Sequence, residues 1–147
     1  MEKRVNIIET QPQAVKAIYG LEQYLNSGRV SKSHRELLKI RASQINGCAF
    51  CLDMHTKDAL KMGETPQRIF LLNAWKETDL FTEEEKAVLA VTEEVTLISQ
   101  HGLTEDTYRK ALEFFDEDYL SQLIIAVVAI NAWNRLAISS LLPVPNN

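Results

Sequence analysis

Two cysteines three positions apart, with a histidine four positions further on, stand in the segment Asn46-Gly47-Cys48-Ala49-Phe50-Cys51-Leu52-Asp53-Met54-His55. On an α-helix those offsets bring Cys48, Cys51 and His55 into one line on one face. The reactive form of cysteine is the thiolate, and the first turn of a helix favours an anion through its unpaired N–H groups and positive dipole end. Sulfurs at this spacing need only local adjustment to join, as a reversible disulfide requires. His55, one turn beyond Cys51, is placed to take its proton or to return one to a leaving group. A lone histidine more often has no chemical role; its place on the cysteine face singles this one out. Which sulfur attacks is not decided by spacing, since the dipole favours Cys48 and nearness to His55 favours Cys51.

These are the only two cysteines in the chain. A structural bridge is not expected, because a domain of 147 residues buries roughly 70% of its unfolded surface without one. The amino terminus, Met1-Glu2-Lys3-Arg4, has no apolar stretch behind its charges to form a secretory signal, so the expectation is cytoplasmic, where thiols stay reduced. A zinc site is a second reading of Cys-x-x-Cys-x-x-x-His. Four ligands close such a site, and only Glu36, His34 and His101 are available to complete it. With no second Cys-x-x-Cys, neither a metal nor a cofactor is expected. A thioredoxin-type dithiol would follow a strand, and none is legible before Cys48.

The elements that must position this line are helical almost throughout, with little of the period-two alternation that marks strands. Seven helices are predicted. The first opens near Pro12 and stops at Asn26-Ser27-Gly28; the second starts at Ser31 or Ser33 and ends at Asn46-Gly47, where Gly47 supplies a left-handed cap. The third opens at the cysteines and closes at Gly63. The fourth follows Thr65-Pro66 and carries Ile69, Leu72 and Trp75. Thr82-Glu83-Glu84-Glu85 is a capping box for the fifth, Thr104 with Glu105 and Asp106 starts the sixth, and Asp116 or Asp118 begins the last. Ser33-His34-Arg35-Glu36 also has the form of a capping box, in which Glu36 would only bond the backbone. No repeat, linker or compositional break divides the chain, so one all-α, compact helical domain over residues 1–147 is expected.

Composition narrows the partners. A net charge of −4 with no basic stripe argues against nucleic acid. The longest apolar run, Leu123 to Ile130, is too short to span a bilayer and reads as a buried helix, so no membrane partner is expected.

Taken together, Glu36, Cys48-Ala-Phe-Cys51 and His55, with Ala59 and Gly63 beyond, resemble the signature of the alkyl hydroperoxidase D and carboxymuconolactone decarboxylase superfamily. The later segment Ile130-Asn131-Ala132-Trp133-Asn134-Arg135 is similar to its short peroxidase-related members. The resemblance implies an all-helical subunit that forms homotrimers or homohexamers. It also implies a dithiol peroxidase acting on a hydroperoxide substrate, whose disulfide is re-reduced by an external dithiol of lipoyl or thioredoxin type. Glu36 then completes a proton relay with His55 and the cysteines, Cys51 carries the sulfenic acid, and Cys48 resolves it. Phe50 stands where the best-known members carry a histidine. Trp133, Asn134 and Arg135 read as site or interface residues on one view and as packing and a surface ion pair on the other. Two rivals share the fold or the first step: a lactone decarboxylase, which generally works without a cysteine pair, and a non-enzymatic thiol switch.

Overall fold

Ser31, not Ser33, opens the helix that carries Glu36: its backbone is extended and its hydroxyl accepts the His34 N–H at 3.2 Å. With the first turn already capped, Glu36 falls in the second turn, and its side chain is free to point at a neighbouring helix. The capping-box reading of Ser33 and Glu36 is therefore corrected. A computed structural model describes residues 2–146, leaving Met1 of the charged amino terminus outside.

The chain runs through α1 (Ile7–Thr10), α2 (Pro12–Asn26), α3 (Lys32–Asn46), α4 (Ala49–Lys61), α5 (Pro66–Phe70), a 3₁₀ helix (Leu72–Glu77), α6 (Glu83–Thr96), α7 (Ile98–His101), α8 (Glu105–Leu112) and α9 (Glu117–Ser139). No strand occurs among the described residues. All seven predicted helices are present, joined by three short pieces that periodicity did not reveal. The predicted fourth helix divides, because the backbone leaves helical geometry at Leu71 and again at Ala74. Leu72 and Trp75 consequently sit on the 3₁₀ turn, where both are still buried. Thr82 and Glu85 form the predicted capping box, and Asp116, rather than Asp118, caps α9.

The core explains why α3 is central. Its Leu38 and Ala42 join Val88 and Val91 of α6 and Leu123, Val127 and Ile130 of α9 in one apolar cluster. Leu37 and Ile40, on another side of α3, meet Leu72, Trp75 and Leu89 in a second. Each fully buried aliphatic side chain contributes roughly 1.5–3 kcal/mol relative to exposure, so α3 is held from two directions. By length and composition α9 could cross a membrane, yet Leu120, Leu123, Val127 and Ile130 are enclosed by the bundle. It is the core helix predicted from the 123–130 run. His34 near the start of α3 meets the Tyr119 hydroxyl near the start of α9, and Asn46 at the end of α3 meets Asn134. The two helices thus run in the same direction.

Only Gly47 and Cys48 separate α3 from α4. Gly47 has φ 70° and ψ 36°, the left-handed conformation that glycine adopts without a Cβ penalty. Its N–H donates to the Gln44 carbonyl, and the Cys48 N–H donates to that of Ser43. This pair of bonds is a Schellman termination, so Asn46-Gly47 ends a helix and does not turn a hairpin. The tight stop leaves Cys48 as the cap of the next helix.

Candidate active site

Cys48 has extended backbone geometry and occupies the N-cap of α4, where its sulfur accepts the Cys51 N–H at 3.3 Å. The two cysteines are joined by a disulfide with their Cα atoms 5.3 Å apart. Both are almost wholly buried, packed against Ala137 of α9 with Leu142 alongside. Spacing on a helix start therefore brought the sulfurs together, as the sequence predicted.

His55 lies one turn further along α4. Its Nδ1 is 3.5 Å from Oε2 of Glu36 on α3, and Oε1 of Glu36 is 3.4 Å from Lys39 Nζ. Burial by itself raises the Glu36 pKa; the neighbouring His55 and the Lys39 charge more than offset it and hold the carboxyl below its usual range. Glu36 is a carboxylate at neutral pH. The structure thus gathers Cys48, Cys51, His55 and Glu36 from two helices.

Of the residues that could complete the zinc alternative, Glu36 meets His55, whereas His34 and His101 have other surroundings. His34 Nδ1 is 2.7 Å from the Tyr119 hydroxyl and its ring packs edge-on to Phe115, while His101 is exposed at the end of α7. In the disulfide state neither sulfur is a thiolate.

A network of amides locks the turn before the cysteines. Asn46 Nδ2 donates to Oδ1 of both Asn131 and Asn134, at 2.9 Å each; Asn134 Nδ2 donates to the Ser43 hydroxyl at 3.0 Å. Asn131 Nδ2 in turn reaches the Thr96 hydroxyl of α6. Asn134 is fully buried, so Asn134→Ala strands its polar partners without water. Chemical denaturation is expected to show a loss of about 1–3 kcal/mol, and a change below about 0.5 kcal/mol would mean that the network does not hold this turn. Asn134 therefore belongs to the support of the site. Arg135 is exposed and bonds back to Asn131.

Beside the disulfide lies a cavity of about 940 Å³. Tyr19 and Val15 of α2, Phe50 and Met54 of α4, and Trp133 and Leu136 of α9 line it, with Val5, Ile8, Leu142 and Pro143 at its edge. Trp133 is held by its indole N–H donating to Glu22 and by its ring against Tyr19. Arg4 donates to the Ser139 carbonyl and ties the two chain ends together there. Cys51 and His55 line this cavity; Cys48 does not. Sequence reading identified Trp133 but missed the walls from α2 and both chain ends, for which no local signal exists. It also passed over Asp58, which extends the line of Cys51 and His55 by three residues and lies with Glu36 and His55 in one cluster.

Residues 12–94, from α2 through most of α6, match the model of the carboxymuconolactone decarboxylase family. The chain belongs to that family. An uncharacterised protein of Bacillus subtilis (strain 168), YdfG, is 44% identical over 139 residues, covering 95% of each chain. A crystal structure of an Agrobacterium tumefaciens protein of unknown function, described as a candidate AhpD antioxidant defence protein, is 36% identical. It superposes with a TM-score of 0.95, covering 99% of this chain and all of the other. An uncharacterised peroxidase-related protein from Silicibacter sp. TM1040 has the same fold, with a TM-score of 0.79 at 21% identity over 92% of this chain and 72% of its own. The all-helical architecture expected of the carboxymuconolactone decarboxylase family is thus the one observed. Within the 12–94 match fall Glu36, both cysteines and His55; the wall formed by Trp133 and Leu136 lies beyond it.

Proposed function

We propose that this chain is a dithiol peroxidase that reduces hydrogen peroxide or organic hydroperoxides. The observation that carries the reading is that Cys51, bonded to Cys48, faces a cavity together with His55, which is backed by the Glu36 carboxylate. In the reduced enzyme the Cys51 thiolate attacks the terminal peroxide oxygen; the O–O bond breaks, sulfur is oxidised to sulfenic acid, and the departing alkoxide or hydroxide takes a proton from His55 or Cys48. The Cys48 sulfur then displaces water from the sulfenic acid and forms the disulfide. An external dithiol, of lipoyl or thioredoxin type, returns the pair to the reduced state in the cytoplasm, and no bound cofactor takes part. We assign the active form to a homotrimer or homohexamer, for which exposed Val128 and Ile138 on α9 offer apolar contact.

A lactone decarboxylase gives no role to a reversible cysteine pair, and a redox switch oxidises only once. Turnover separates these readings. Supplied with excess hydroperoxide and excess dithiol, the protein is expected to consume many equivalents of peroxide per chain, followed by loss of the peroxide and recovery of the alcohol. Consumption that stops at one equivalent identifies a switch and overturns the proposal.

A further inference from the structure

Outside the disulfide, the described residues hold one group of three side chains able to ligate a metal. Glu36, His55 and Asp58 bring one ligand atom each to within 4.8 Å of one another. Two of those side chains end in atoms whose burial is not matched by hydrogen bonding: Glu36 Oε2 and His55 Nδ1 are both buried without a hydrogen-bond partner. They stand 3.5 Å apart, too far for a good hydrogen bond, which would close to about 2.7–2.9 Å between charged groups. Two ligands on a tetrahedral zinc ion, with bonds of about 2.0–2.2 Å, are separated by about 3.4 Å. The other oxygen of Glu36 is engaged by Lys39, so Oε2 is the one left for an ion.

We propose that Glu36, His55 and Asp58 form a site for a divalent zinc-class cation, with water completing the coordination. The donor set of one imidazole and two carboxylates suits that metal. Occupancy withdraws His55 from proton transfer, so zinc brakes the peroxidase; that consequence rests on the function proposed above, whereas binding itself does not.

The test uses the oxidised protein, whose cysteines are locked as a disulfide and cannot bind the ion. Calorimetric titration with Zn²⁺ in metal-free buffer is expected to show one ion per chain. Asp58→Asn and Glu36→Gln should each weaken binding at least tenfold while the circular dichroism spectrum stays unchanged. One equivalent should shift the His55 ring resonances and leave those of His34 and His101 in place. Absence of binding, binding unaffected by Asp58→Asn, or shifts at His34 or His101 instead of His55 would each overturn the site. Zinc binding with these variant effects supports the site whether or not the protein turns over peroxide, so failure of the binding test and failure of the peroxidase reading are separate outcomes.

Discussion

Replacing Cys51 with serine is expected to abolish hydroperoxide turnover, by on the order of a thousandfold or more, because the attacking sulfur itself is removed. Cys48→Ser should instead allow the first oxidation and stop there, trapping a sulfenic acid on Cys51 that a dimedone-type probe labels and mass analysis locates. Two physical effects compete in this choice. The Cys51 N–H donates to the Cys48 sulfur at the helix start, an arrangement that stabilises a thiolate on Cys48. Proton transfer favours Cys51, which lines the cavity with His55. Both cysteines are almost wholly buried, so the choice of Cys51 rests on its place beside His55 on the cavity wall. Label on Cys48 in the Cys51→Ser protein, with none on Cys51 in Cys48→Ser, would reverse the roles and show that the helix terminus outweighs the histidine.

The second large effect is expected at His55. His55→Ala should slow formation of the sulfenic acid by about 10²–10⁴-fold, the usual contribution of a positioned acid or base, measured by stopped-flow fluorescence on the reduced protein. Glu36→Gln retains shape and removes charge, so its effect should run in the same direction and be smaller. Both side chains sit at the edge of the core, and circular dichroism should show the fold intact. Glu36 also has a stability signature of definite sign. Its folded pKa lies below the ordinary value, so the stability it contributes is present above the unfolded pKa and lost as pH falls through the folded one. Glu36→Gln should therefore lower the melting temperature at neutral pH and change it little in strong acid. An unchanged rate in both variants would remove the relay from the mechanism and leave Cys51 acting unaided.

Local chemistry in the chain was enough to place most helix ends. Thr65-Pro66, Thr82 with Glu85, Thr104 and Asp116 each satisfy helix N–H groups with side chains a few residues away, and such interactions need no information from the rest of the fold. The short helices around the start and middle were harder. α1 and α7 span four residues each, less than the length over which a hydrophobic period can be read, and the backbone leaves helical geometry at Ala74 while Leu72 and Trp75 stay buried.

The candidate site divides in the same way. Cys48, Cys51 and His55 lie within eight consecutive residues, and helical spacing by itself lines them up; the sulfurs are joined as that spacing predicts. Glu36 is separate, because its partnership with His55 exists only when α3 folds back on α4 at Gly47 and when Ser31, two residues before Ser33, takes the capping role. The cavity was beyond any local reading. Its walls come from α2, α4, α9 and both ends of the chain, segments brought together by burial of apolar surface across more than a hundred residues. Spacing along one helix, then, determined which atoms can react and how they join, since those interactions are short in sequence. Which sulfur lines the cavity, and that the Glu36 carboxylate stands beside the histidine, were decided by the packing of separate helices, whose crossings are set by the whole core.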